Sequence, residues 1–331
     1  MEIKMEKIIP AKLLPGDEIR VISPSTGIKI ISEECRNLAK QRFEEMGLKV
    51  SFAKNTMDES WEADGSMDIA KRVEDLHEAF RDKKVKAIFT IIGGFNSNQL
   101  LDYIDYGLIA ANPKIFCGFS DITALLNAIY AKTGMVTFSG PHFSSFGMRK
   151  GFDHTLENMQ KMLMESGENT LKPSSEWSDD LWFLDQENRQ FITNEGYWEL
   201  QTGTAKGTLI GGNLCTFSLL LGTPYRPAFE KETILFIEDT ESSSIARISR
   251  ELQALIHQPD FKNVKGILIG RFQKKSNITK EQLLFMLKRF EPSLKSMPII
   301  ANLDFGHTTP LLTIPIGGSA TIENGNCVIE V

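Results

Sequence analysis

Apolar residues along the N-terminal half change spacing repeatedly, and each change predicts a change of element. The runs Glu18–Ser23 (EIRVIS), Leu48–Phe52, Val85–Ile92 (VKAIFTII) and Ile115–Cys117 are short, β-branched and aromatic, as buried strands are. Between them the apolar positions fall at helical spacing. One such stretch runs through Ser32–Met46 and is closed by Gly47. A second, Met67–Arg81, carries Ile69, Val73, Leu76 and Phe80, and a third starts at Ile122 and stops at Gly134. Strands alternating with helices predict a parallel sheet covered on both faces. Sites in such sheets form beyond the strand C-termini. Gly93-Gly94 and Gly118-Phe119-Ser120 both stand there and could share one crevice.

Between residues 150 and 200 the pattern dissolves. The stretch ENTLKPSSEWSDDLWFLDQENRQFITNEGYW is polar, acidic and studded with aromatics, and predicts an inter-domain connection with a surface loop. Alternation resumes from Glu199, with GTLIGG at Gly207–Gly212, a strand Thr233–Glu238, a helix around Ala246–His257 and a strand Val264–Ile269. A helix near Lys280–Phe290, a strand Pro298–Leu303 and a hairpin turning at Asn324-Gly325 complete it. The expected organisation is therefore 1–165, a connecting segment 166–198, and 199–331.

Composition narrows the class of partner. The chain has 331 residues, 41% hydrophobic and 24% charged, which are globular values. Its net charge of −6 argues against a general nucleic-acid binder. No apolar run approaches the roughly 20 residues of a membrane span, and the N-terminal stretch lacks the apolar core of a signal peptide. The cysteines Cys35, Cys117, Cys215 and Cys327 are scattered without a CxxC pair, as in a reducing compartment. The expectation is a cytoplasmic protein without a membrane or nucleic-acid partner.

Ser120 is the first candidate for chemistry. It stands where a buried run turns into a helix, which suits an ordinary N-cap serine. It equally suits a nucleophile, because helix N–H groups would face a developing oxyanion and Gly93-Gly94 could lend another. The stretch is not the G-x-S-x-G elbow, since position 122 is isoleucine. A base must come from His77, His142, His154, His257 or His307. His142 and His307 both follow apolar segments, and spacing does not choose between them. An orienting carboxylate could be Glu238 at a strand end, or Asp239 or Glu241, unless EDTE is merely a solvated acidic loop. Histidines and cysteines are too dispersed for a metal site, and Gly211-Gly212-Asn213 and Gly93-Gly94-Phe95-Asn96 lack the spacing of phosphate loops. Trp177, Trp182 and Trp198 could stack on a flat ligand or pack a domain interface.

Five stretches together resemble one family: IIGGFNSNQLLDYIDY (91–106), NPKIFCGFSDITALLNAIYAKTG (112–134), GTLIGGNL (207–214), ILFIEDTE (234–241) and GHTTP (306–310). In this order they resemble the LD-carboxypeptidase family of serine peptidases, with a nearer likeness to its microcin C self-immunity (MccF-like) branch. The resemblance implies an α/β fold: a flavodoxin-like or amidotransferase-like N-terminal parallel sheet with helices on both faces, plus a smaller C-terminal α/β domain. It implies a Ser120–His307–Glu238 triad, with the backbone N–H groups of Gly94 and Asp121 as the oxyanion hole and no metal or cofactor. Homodimers are common in the family. Murein-recycling members carry an R-G-G-Y-G-like loop, whereas this chain reads Ile92-Gly93-Gly94-Phe95-Asn96 and lacks the arginine suited to an anionic peptide. SDDLWFLDQENR (178–189) resembles a substrate loop of the immunity peptidases, which assigns Trp182 to nucleobase stacking; Asn213 is a further candidate substrate contact. The implied activity is cleavage of the amide bond of an aminoacyl-nucleotide. The alternatives are a murein tetrapeptide carboxypeptidase and a non-catalytic small-molecule binder.

Overall fold

The computed structural model describes residues 6–57, 65–229, 232–295 and 297–331. Its first part runs β1 (Glu18–Ile22), α1 (Glu33–Glu45), β2 (Lys49–Phe52), α2 (Ile69–Arg81), β3 (Val85–Thr90), α3 (Tyr106–Ala111), β4 (Ile115–Gly118), α4 (Thr123–Thr133), β5 (Thr137–Ser139) and α5 (Asp153–Leu163). Local chemistry sets several boundaries. Ser32 caps α1 by accepting from the Cys35 N–H, Asp68 caps α2, and Gly134 ends α4 in the left-handed region at φ 73°. Strands β1 to β5 are parallel and lie in the order β5-β4-β3-β1-β2. The strand order reverses between β1 and β3, so the loops leaving these two strands diverge and open a crevice. There the Thr26 N–H donates to the Gly93 carbonyl at 3.1 Å.

The remainder comprises β6 (Asn169–Thr170), β7 (Glu176–Trp177), β8 (Ile192–Thr193), β9 (Trp198–Gln201), β10 (Thr204–Asn213), α6 (Leu214–Ser218), β11 (Thr233–Glu238), α7 (Ile245–Ile256), β12 (Val264–Gly270), α8 (Lys280–Arg289), α9 (Glu291–Leu294), β13 (Ile299–Leu303), β14 (Ile314–Ile316), β15 (Ser319–Glu323) and β16 (Asn326–Glu330). Its described strands build an eight-stranded sheet, β6-β16-β15-β10-β11-β12-β13-β9. Neighbours from β10 to β13 are parallel and the flanking pairs antiparallel, so the sheet is mixed, and it curls into a half-barrel. The second sheet, expected in the smaller domain, thus has more strands than the first. Its chain also returns to the first, because β14 pairs antiparallel with β5 as a sixth strand. Apolar spacing cannot announce such a return, since a three-residue strand carries no periodicity.

Between the sheets lies α4, which is buried on nearly every side and packs on β5, β10 and α6. This explains an apolar pattern too full for an amphipathic helix. The segment expected as a connection forms the separate hairpin β7–β8, and its ends supply β6 and β9 to the second sheet. Asn324 and Gly325 both have positive φ, as the expected tight turn requires. Among the described residues no helix is long and apolar enough to cross a membrane.

Candidate active site

β4 delivers Ser120 to the crevice through a sharp corner. Ser120 itself sits at φ 60°, a left-handed conformation that costs a non-glycine residue energy. A tight turn over Ser120–Ile122 follows before α4 begins at Thr123, so the helix starts later than apolar spacing suggested. Ser120 is not an N-cap, since neither the turn nor α4 receives a side-chain cap. Although the G-x-S-x-G spacing is absent, the backbone still makes an elbow. Room for it comes partly from the loop after β3: a Cβ on Gly93 would lie 3.0 Å from the Ser120 Cβ.

From the other sheet, Glu238 ends β11 and is 4% exposed, which excludes a solvated acidic loop. His307 reaches it from the loop after β13. Gly306, at φ 111°, lets that loop lie against the carboxylate, for a Cβ there would come within 3.0 Å of Glu238 Oε2. The His307 Nδ1 is 2.7 Å from Glu238 Oε2, and its Nε2 is 2.9 Å from Ser120 Oγ. A carboxylate can only accept, so Nδ1–H donates to Glu238 and leaves Nε2 to accept from the serine. Burial pulls the His307 pKa down, but the charge and hydrogen bond of Glu238, aided by Asp239, outweigh it and raise the net value. Burial also raises the pKa of Asp239, opposed by the Thr240 N–H and reinforced by the neighbouring Glu238.

His142 lies beneath this array rather than in it. Its ring stacks on Phe119 at 4.3 Å, and Phe119 meets His307 edge-on at 5.3 Å. Its Nδ1 pairs with Thr90 Oγ1 at 2.7 Å, while its buried Nε2 has no partner among the described residues. Burial, with a contribution from His307, pushes its pKa down to about 3, so it stays neutral. Of the other histidines, His257 is exposed, while His77 and His154 are half-buried. Among the described residues no cluster of His, Cys, Asp and Glu could hold a metal.

Asp121 does more than its backbone suggested. Its buried carboxylate accepts from Ser25 Oγ at 2.6 Å and the Ser97 N–H at 2.9 Å, and its carbonyl accepts from Ser97 Oγ at 2.6 Å. One side chain therefore joins the loops after β1, β3 and β4. Gly94 lies against the first of these, where a Cβ would run into Ser25 Oγ and Thr26 Oγ1. Asn213 is 3% exposed and pairs across the ladder with Glu238. Its Oδ1 caps α6 through the Thr216 N–H at 3.0 Å, and its Nδ2 lies 3.4 Å from Asp239 Oδ1. Trp182 is half-buried against Phe183, on a loop whose Ser178 exchanges two backbone hydrogen bonds with Thr309, each 2.8 Å. Trp177 and Trp198 instead share the lining of a cavity of about 420 Å³, with Arg271 and Lys274 over the Trp177 ring.

Comparison with known proteins covers both parts of the chain. The model of the LD-carboxypeptidase N-terminal domain matches residues 19–140 and that of the C-terminal domain residues 206–322. The Bacillus subtilis protein YocD, provisionally named a carboxypeptidase, is 54% identical over 313 residues, covering 95% of each chain. A crystal structure of an MccF-like protein from Bacillus anthracis is 49% identical, with a TM-score of 0.94, covering 98% of this chain and 99% of that one. MccF in complex with glutamyl sulfamoyl guanosine is 32% identical, with a TM-score of 0.87 and 98% of each chain covered. The Escherichia coli protein of that name is the microcin C7 self-immunity protein. This chain belongs to the LD-carboxypeptidase family of hydrolases.

Proposed function

We propose that the protein is a serine amidohydrolase that cleaves an aminoacyl-nucleotide between the amino-acid carbonyl and the nucleotide-side nitrogen. The observation that carries this reading is the unbroken hydrogen-bond chain from Ser120 through His307 to Glu238. Ser120 Oγ attacks the carbonyl carbon while His307 Nε2 takes its proton. The oxyanion is held by the N–H groups of Gly94 and Asp121. His307 then protonates the leaving nitrogen, and afterwards draws a proton from the water that releases the acyl group. Glu238 holds the imidazole in the required tautomer throughout.

Substrate class rests on the rim. Ile92, not an arginine suited to an anionic peptide, precedes Gly93-Gly94, and Phe95, 87% exposed, follows them. Trp182 lies on the loop tied to Thr309, two residues beyond His307, and offers a ring to a nucleobase. Asn213, beside Glu238, sets the floor on which the acyl group rests. A relative solved with glutamyl sulfamoyl guanosine supports the same class. The second reading, trimming of a murein tetrapeptide, is favoured by the carboxypeptidase name of the 54% identical relative. The four cysteines are all free, in keeping with a cytoplasmic enzyme, and the family resemblance suggests a homodimer.

The test incubates purified protein with aspartyl sulfamoyl adenosine and a murein tetrapeptide together, followed by mass spectrometry, with Ser120→Ala as control. Loss of the nucleotide alone is expected. Release of D-alanine alone would select the murein reading, and turnover by Ser120→Ala would end the mechanism.

A further inference from the structure

The loop that carries His307 is held on both sides by one hairpin. Before His307 stands Asp304, fully buried, with both carboxylate oxygens accepting hydrogen bonds. Its Oδ2 accepts from the Ser174 N–H at 2.8 Å, and its Oδ1 accepts from Ser174 Oγ at 3.0 Å and from the Arg271 guanidinium. Tyr197 Oη, which donates to the Lys172 carbonyl at 2.9 Å, lies 3.3 Å from the same carboxylate. After His307 stands Thr309, in its two-bond bridge with Ser178. Ser174 and Ser178 flank β7, and Asn194, just beyond β8, closes the hairpin base by donating to the Ser175 carbonyl at 2.9 Å. The excursion rooted there is the one that carries Trp182.

Arg271 completes the anchor from β12. It is 2% exposed, donates to Asn302 Oδ1 at 3.1 Å, and lies over the Trp177 ring of the same hairpin. Asn302 is itself at φ 62°, and its Nδ2 donates to the Gly196 carbonyl at 2.7 Å. A buried ion pair of this kind contributes little net stability. Its hydrogen bonds do, however, fix direction, and these point to both ends of the hairpin.

We infer that Asp304 is a positioning residue: it docks the base of the 174–194 hairpin onto the stem of the His307 loop, so that the placement of the imidazole depends on the seating of the segment that bears Trp182. The inference rests on the triad reading above. It makes substrate contact and base alignment two readouts of one element rather than independent features.

The experiment measures the rate at which diisopropyl fluorophosphate, which carries neither a nucleobase nor a peptide, labels Ser120 as a function of pH. The charged and titratable groups facing His307 are Glu238 at the end of β11, Asp239 just after it and, across the Phe119 ring, the neutral His142. Asp304→Asn leaves Arg271 uncompensated and risks the fold, so Ser174→Ala is the second variant, since it keeps the ion pair. Labelling of Ser174→Ala is expected to slow by about tenfold. The midpoint of its pH profile should fall toward that of an ordinary imidazole as His307 slackens from Glu238, with the thermal midpoint close to wild type. Unchanged labelling would overturn the inference. So would a loss that follows the folded fraction while the pH midpoint stays put. Wild-type protein that does not label at all would overturn the nucleophile reading and this inference with it.

Discussion

Ser120 adopts a backbone conformation that a serine avoids, and its hydroxyl lies within hydrogen-bond distance of an imidazole. Strain of this kind persists only where neighbours hold it, and here the neighbours are Gly93, Phe119 and His307. The pH dependence follows from the same contacts. His307 must be neutral to accept the serine proton, and its pKa is raised, so kcat/KM should climb with pH to a midpoint above that of ordinary histidine, ~6.5. Glu238→Gln removes the main raising influence; the midpoint should move down and the rate fall by roughly three to four orders of magnitude. A midpoint that does not move in a pH series on the variant would sink this account. His142 offers a separate test through stability. The unfolded chain binds its proton below about 6.5, whereas the folded value lies at about 3. Its contribution is therefore complete above ~6.5 and lost as the pH falls toward the folded value. Denaturation midpoints of His142→Gln should fall less steeply over that interval than those of wild type. From the sequence the two histidines looked alike, because both follow apolar runs. In the structure Phe119 packs between them, and of the two it is His307 that lies within hydrogen-bond distance of Ser120 and Glu238.

Among the elements, the loops matter more than the strands that carry them. The strand and helix cores of the first domain follow apolar spacing closely, and the crevice was legible from where β3 and β4 end. The stitching was not. Asp121 reads as an acidic residue in a helical first turn, yet its side chain points back to Ser25 and Ser97. Gly211-Gly212, which lacks the spacing of a phosphate loop, lies inside β10, where a Cβ on Gly212 would come within 2.7 Å of Thr123 Oγ1 and one on Gly211 would meet the Phe236 carbonyl. Close approach of strand to α4 and strand to strand, not phosphate, is the reason for glycine there. Gly94 supplies the prediction at this scale. Its φ of 152° and the wall formed by Ser25 and Thr26 leave no place for a methyl group. Gly94→Ala should displace the loop and reduce kcat by roughly 100-fold, the order of losing one oxyanion donor, with little change in KM. Steady-state kinetics on a variant with wild-type kcat would remove Gly94 from the oxyanion hole.

At the scale of the whole molecule, the candidate nucleophile belongs to one sheet and its base and carboxylate to the other. The two halves are not separable units, however: β14 lies on the first sheet and α4 is enclosed by both. A fragment of residues 1–165 keeps Ser120 but loses the partner of β5 and the cover of α4. It is expected to lack cooperative unfolding by circular dichroism and to recover it when co-expressed with 166–331. A fragment that unfolds cooperatively alone would show that the first domain closes without β14.

Local sequence determined the alternation of strands and helices, the caps and turns that bound them, and the corner that exposes Ser120. Those depend on residues within a few positions of each other, so spacing and cap chemistry suffice. The motif resemblance added the family and the choice of His307. Tertiary structure alone decided the left-handed serine without its usual motif, the return of β14, the buried carboxylates of Asp121 and Asp304, and the separation of Trp182 from Trp177 and Trp198. Each of these depends on hydrogen bonds or van der Waals contact between residues far apart in the chain, and such contacts leave no periodic trace in the pattern of apolar positions.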